Sequence, residues 1–163
     1  MSDVNQPSIE IGQIIPAFTL PGADGMPYSP WDYTQRENLV LLFIPNPTTV
    51  EARGLLRTFA QRYGDFREGQ CAILAITAAT VIDNLRAQEE LHLPFALLAD
   101  PKGTVFSCYT RRNDATGGFN PSIVLADRYG ALYRQWVAEN EVGLPPVEEL
   151  LDLLRYLNQL CTP

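Results

Sequence analysis

A chain of 163 residues, 46% hydrophobic and 19% charged, suits one soluble globular domain with a single well-formed core. Twelve basic against nineteen acidic side chains leave a net charge of −7. That balance repels phosphate backbones and anionic lipid, and argues against nucleic-acid and membrane-surface partners. The opening MSDVNQPSIEIG has neither a basic n-region nor an apolar h-region, and the longest aliphatic or aromatic run, Leu39 to Ile44, is far too short to span a bilayer. A cytoplasmic location is therefore expected. Cys71, Cys108 and Cys161 lie far apart, no CxxC occurs, and His92 is the single histidine. This set predicts no structural zinc, no other metal, no cofactor and no disulfide framework.

Residues 1–9 are polar and predict a flexible N-terminus ahead of one domain over 10–163. Ile15 to Leu20 predicts a short strand, and Asp24-Gly25 the tip of a hairpin. Leu39 to Ile44 (LVLLFI), apolar throughout and bounded by Asn38 and Pro45, predicts a central strand buried on both faces. PNPTT must then be loop. From Val50, the spacing of Ala52, Leu55, Leu56, Phe59, Tyr63 and Phe66 predicts one amphipathic helical unit ended by Gly69, with Thr48 or Thr49 as its N-cap.

Cys71 to Ile76 predicts a second buried strand. A helix follows from Thr80 or Ala79 to about Leu91, with Asp83 in capping-box-like spacing and Pro94 as the stop. Phe95 to Ala99 predicts a third strand, and Thr104 to Tyr109 a short helix. Arg111 to Phe119 predicts a mobile loop. Ser122 to Ala126 and Leu132 to Val137, joined by DRYG, predict an antiparallel pair. Val147 to Leu160 predicts the final amphipathic helix, entered from Pro145-Pro146. Such alternation gives an α/β domain with a largely parallel sheet, helices on both faces and a closing antiparallel hairpin.

In this order, IGQIIPAFTLPGADG, LVLLFIPNPTT, LLADPKGTVFSCYT and SIVLADRYGALYRQW resemble the peroxiredoxins of the alkyl hydroperoxide reductase/thiol-specific antioxidant family. The spacing is nearest the bacterioferritin comigratory protein branch. The resemblance spans about residues 9–160. It implies a thioredoxin fold with a central mixed sheet and an N-terminal β-hairpin, and thiol peroxidase chemistry. The family motif PxxxTxxC lies over Pro45, Thr49 and Ala52, so the position of the reactive cysteine holds alanine. A glutamate often found three residues later is Leu55, and the branch's frequent resolving cysteine is Arg57. The catalytic arginine position before SIVLA is Pro121.

Peroxide reduction needs a thiolate that becomes sulfenic acid, and a helix N-terminus with an adjacent cation lowers the thiol pKa to populate it. A methyl group at 52 and a proline at 121 do neither. In thioredoxins proper a cis-proline precedes the equivalent strand, so the resemblance also implies a cis Asn120-Pro121 bond. The CxxC would then fall over Thr48 to Glu51, which carries no sulfur.

The other chemistry-bearing residues each have a plainer reading beside a functional one. Cys71 reads as core; Cys108 reads as exposed helix or as a relocated reactive thiol; Cys161 reads as a frayed bystander or an interchain thiol. Thr48 and Thr49 cap the helix or hold a ligand there. Arg53 and Arg57 form a solvated face or an anion site. Arg111 and Arg112 head a loop within reach of the pocket. His92 reads as surface, and Trp31 and Trp136 as core or rim packing. The sequence thus predicts a catalytically degenerate pocket formed by Pro45, Thr48, Thr49, Ala52 and Pro121, binding a small molecule or a protein partner. The alternatives are a thiol oxidoreductase working through Cys108, and an interaction protein that dimerises through residues such as Tyr109 and Phe119.

Overall fold

The computed structural model describes residues 9–160; the expected flexible N-terminus, save Ile9, and the reading of Cys161 lie outside the described residues. Leu20–Pro21 (β1) and Pro27–Tyr28 (β2) form a two-residue antiparallel ladder. The turn between them contains Gly25 at φ +81° and Asp24, whose carboxylate accepts from Met26 N at 2.9 Å and from Tyr28 Oη at 2.6 Å. The hairpin is therefore where the sequence predicts it. The strand expected over Ile15 to Leu20 is not: only Leu20 pairs there as strand. Ile15 N instead bonds Gly130 O at 2.9 Å, Ile15 and Phe18 plug the core, and Pro16 has no N–H to extend a ladder.

The main sheet has strand order β5-β4-β3-β6-β7. Its members are Asn38–Phe43 (β3), Cys71–Thr77 (β4), Ala96–Ala99 (β5), Ser122–Ala126 (β6) and Leu132–Val137 (β7). β3 runs parallel to β4 and β4 to β5; β6 is antiparallel to β3, and β7 to β6, with a bulge between Leu125 and Ala126. Every residue of β3 is buried. Val40, Leu42 and Ile44 enter one core cluster, and Leu39, Leu41 and Phe43 enter the other. Full burial of each such side chain is worth about 1.5–3 kcal/mol, which accounts for the unbroken apolar run.

The first cluster is covered by Val50–Gln61 (α1), Tyr63–Glu68 (α2), Val81–Leu91 (α3) and Val147–Leu160 (α5). The second is closed by the N-terminal segment and the short Phe106–Tyr109 helix (α4). The unit expected to run unbroken from Val50 is two helices. Arg62 at φ −101° interrupts it, and its guanidinium pairs with Asp65 at 2.7 Å and with Glu148 on α5. Short 3-10 helices occupy Pro30–Asp32 and Glu141–Gly143. Among the described residues no helix is long and apolar enough to cross a membrane.

Candidate functional site

The C-terminal ends of β3, β4 and β5 meet the start of β6 at one edge of the sheet, the edge where open α/β sheets bind ligands. Phe43 pairs with Ser122, so β3 leaves the sheet into Ile44 and Pro45 beside the point where Pro121 leads into β6. Pro45 O accepts from Ala78 N at 3.1 Å, which ties this loop to the end of β4. Asn46 then organises the turn: its Oδ1 accepts from Thr48 N at 3.0 Å and from Thr48 Oγ1 at 2.6 Å. The sequence reading missed Asn46, although the Asn46-Pro47 dipeptide is a turn signal.

Thr49, at φ −71° and ψ 155°, is the N-cap of α1, and its Oγ1 accepts from Ala52 N at 3.1 Å. Ala52 therefore stands in the first turn of α1, at the helix tip facing that edge. Its methyl is fully buried and joins the core cluster with Leu56, Phe59 and Ile123. Pro121 is also buried, Pro45 and Thr49 are half-buried, and Thr48 is exposed. The predicted set thus shares one end of the sheet, with hydroxyls at its rim and a closed aliphatic floor.

The two arginines that follow Ala52 on α1 are turned to other surroundings. Arg53, the next residue, is held by Glu90 on α3 at 2.9 Å, and Arg57 is exposed. Arg112 lies over the Phe119 ring at 4.5 Å and donates to Gly117 O at 3.1 Å. Arg111 is half-buried, and its carbonyl accepts from Asn120 N at 2.8 Å, so the head of the loop lies beside the residue preceding Pro121. Asn120 Oδ1 is buried without a hydrogen-bond partner among the described residues. The Asn120-Pro121 bond is trans, since no cis peptide occurs among the described residues, so the expected cis bond is corrected. Trans is the ordinary state of X–Pro, and Pro121 O and Asn120 O here accept from Ala138 N and Thr110 Oγ1.

The two described cysteines divide differently. Cys71 is fully buried, and desolvation pushes its thiol well above the ordinary range, so it is inert core. Cys108 is exposed on α4, with its Sγ 3.5 Å from Thr104 O. Its neighbours Phe106 and Tyr109 pack into the cluster on the sheet face opposite Ala52, so Cys108 is not a sulfur brought into the same cavity. Tyr109 is fully buried, stacked on Phe43 at 4.8 Å, with its hydroxyl donating to Pro16 O. It cannot serve a dimer surface, which corrects that expectation. Phe119 is half-buried against Phe106 at 5.3 Å. His92 is exposed and closes α3 in the left-handed conformation at φ +50°. Trp136 is half-buried, whereas Trp31 is 66% exposed and packs in no core.

A buried polar pair also escaped the sequence reading. Thr77 Oγ1, at the end of β4, donates to Asn84 Oδ1 on α3 at 2.6 Å and accepts from Ala79 N at 3.1 Å. Both residues are fully buried. An Asn within an otherwise ordinary helical pattern was the available signal. Among the described residues no group of three or more His, Cys, Asp or Glu is arranged to hold a metal ion.

Fold and site geometry define a thioredoxin-fold domain of the peroxiredoxin kind, with its sheet, its capped helix after β3 and its N-terminal hairpin. The chain belongs to the AhpC/TSA family, whose profile matches residues 11–135. It is 27% identical to peroxiredoxin bcp1 of Schizosaccharomyces pombe over 144 residues, covering 88% of this chain and 67% of that one. It is also 27% identical to the putative peroxiredoxin bcp of Coxiella burnetii over 135 residues, covering 79% and 89%. In three dimensions it resembles peroxidoxin BcpB of Mycobacterium tuberculosis, with a TM-score of 0.79 at 19% identity over 91% of this chain and 98% of that one.

Proposed function

We propose that this chain is a peroxiredoxin-fold protein without a working thiolate site, which acts by binding a small ligand or a protein partner. The observation that carries this reading is Ala52: the first turn of α1, capped by Thr49, presents a buried methyl where the family motif calls for a sulfur. Pro121 replaces the cation at the adjoining strand entry, and Arg53 is occupied by Glu90. A methyl group has no lone pair to attack peroxide oxygen and no charge for the helix terminus to stabilise. What the site retains is Thr48, Thr49 and Pro45 around a sheet edge suited to ligand contact.

The deciding experiment measures hydroperoxide consumption with dithiothreitol or thioredoxin as reductant, for the native protein and for Ala52→Cys/Pro121→Arg. The native protein is expected to be inactive, and the double variant reports whether a sulfur at position 52, buried as the methyl is, can be reached by peroxide. Turnover by the native protein at a rate above the buffer blank defeats the reading.

The exposure of Cys108 favours one second reading, a thiol oxidoreductase acting through that sulfur. Its test is thiol titration after stoichiometric peroxide, on the native protein and on Cys108→Ser. A thiol lost in the former and retained in the latter supports it; no loss in either defeats it.

A further inference from the structure

Val50 and Val142 are the most exposed large hydrophobic residues among those described, at 83% and 77%. They belong to elements that touch: Val50 opens α1, and Val142 is the middle of the 3-10 helix Glu141–Gly143 packed beside it. Three carboxylates accompany them. Glu51 follows Val50, Glu141 precedes Val142, and Glu139 lies just before. None of the three is in an ion pair among the described residues. Glu141 is half-buried, and burial raises its pKa, with the charge of Glu51 adding to the rise. The two elements therefore hold like charges close together and two aliphatic side chains in water, both costs that a free surface does not relieve.

We propose that this face, at the tip of α1, docks a protein segment carrying alternating aliphatic and cationic side chains. The aliphatic groups cover Val50 and Val142, and a Lys or Arg enters between Glu51 and Glu141. Charge complementarity selects this occupant. A second copy whose two-fold axis passed through this face would set glutamate against glutamate, so charge complementarity favours a cationic segment over self-docking there. The proposal rests on the partner-binding reading of the chain and names the chemistry of that partner.

The test uses fluorescence anisotropy with a labelled ten-residue Leu-Lys repeat peptide and a Ser-Lys repeat of equal charge. The Leu-Lys peptide is expected to bind the native protein at least tenfold more tightly. Val50→Ser/Val142→Ser and Glu51→Gln/Glu141→Gln should each weaken it about tenfold, and the second should also flatten its salt dependence. Glu68→Gln/Glu89→Gln, which removes two other exposed acids, should leave it unchanged.

Equal binding of both peptides, or equal loss with the control pair, overturns the proposal by showing general acidity alone. So does a native dimer that Val50→Ser/Val142→Ser converts to monomer, which assigns the face to a second copy. The peroxide assay separates the two failures. Native turnover defeats the degenerate-site reading whatever the peptides show, and unmapped peptide binding without turnover defeats only this proposal.

Discussion

The hydroxyl of Thr49 accepts the Ala52 N–H at 3.1 Å, so a single threonine closes the first turn of α1 over a methyl group that solvent does not reach. Thr49→Ala removes this cap. The expected cost is about 1 kcal/mol, which lowers the melting temperature by roughly 2–4 °C in a domain of this size. Thr49→Ser should recover most of the loss. Urea denaturation of the three proteins checks both statements, and an unchanged Thr49→Ala midpoint would show the cap to be dispensable.

The closed floor makes a second prediction. Enlarging Ala52 to Leu places three extra carbons in a filled core and is expected to destabilise by about 1–3 kcal/mol. If the methyl instead lined an open pocket, the added carbons would reach solvent and the midpoint would barely move. The same denaturation measurement distinguishes the two.

Thr77 and Asn84 supply a third. Both are fully buried and share a 2.6 Å hydrogen bond. Thr77→Val strips Asn84 Oδ1 of its donor and is expected to cost about 1–3 kcal/mol. Thr77→Val/Asn84→Leu removes both polar groups and should be less damaging than the sum of the single changes. A double-mutant cycle with no coupling would refute the pairing.

The raised pKa of Glu141 has a definite sign. A carboxyl whose folded pKa lies above its unfolded value favours the folded state at pH below the unfolded value, and that benefit disappears as pH rises through the folded pKa. At neutral pH the charged, half-buried group is therefore a penalty. Glu141→Gln is expected to raise the melting temperature at pH 7, with the gain shrinking as pH falls through the carboxylate range. A gain that is constant with pH would assign the effect to something other than ionisation.

Gly103 offers a steric prediction. It sits at φ +75°, and a Cβ built there would lie 2.5 Å from the Phe119 ring, which stacks on Phe106. Gly103→Ala is expected to destabilise through both the left-handed backbone and the contact. In a Phe119→Leu background the steric share disappears, so Gly103→Ala should cost less relative to Phe119→Leu alone than it does relative to the native protein. Equal stability of native and Gly103→Ala proteins in thermal melts would contradict the packing of this loop.

Most of the fold was legible because its code is local. The runs LVLLFI and CAILAI announced strands buried on both faces, and the spacing of Val147, Leu150, Leu151, Leu154 and Leu157 announced α5 with its observed limits. The strands Ser122–Ala126 and Leu132–Val137 likewise match. Helix α1 began where its threonine cap predicted, but it broke at Arg62, whose backbone leaves the helical region at φ −101° and ψ 11° while its guanidinium pairs with Asp65 and, across the fold, with Glu148. Ile15 to Thr19 failed as a strand because its apolar residues serve the core singly, without a ladder partner along their length.

The order of elements, the family and the residue types at positions 45, 49, 52 and 121 were determined by the sequence alone, since periodicity and motif spacing are properties of neighbouring residues. Only the tertiary structure decided that Tyr109 is interior and Trp31 exposed, that Pro121 is trans, and that Thr77 meets Asn84. It also placed Cys108 on the sheet face opposite Ala52 and brought the charge of Glu51 to bear on Glu141. Each of these depends on strand register and on which face a helix covers. Those are set by packing between segments distant in the chain, for which a local pattern carries no signal.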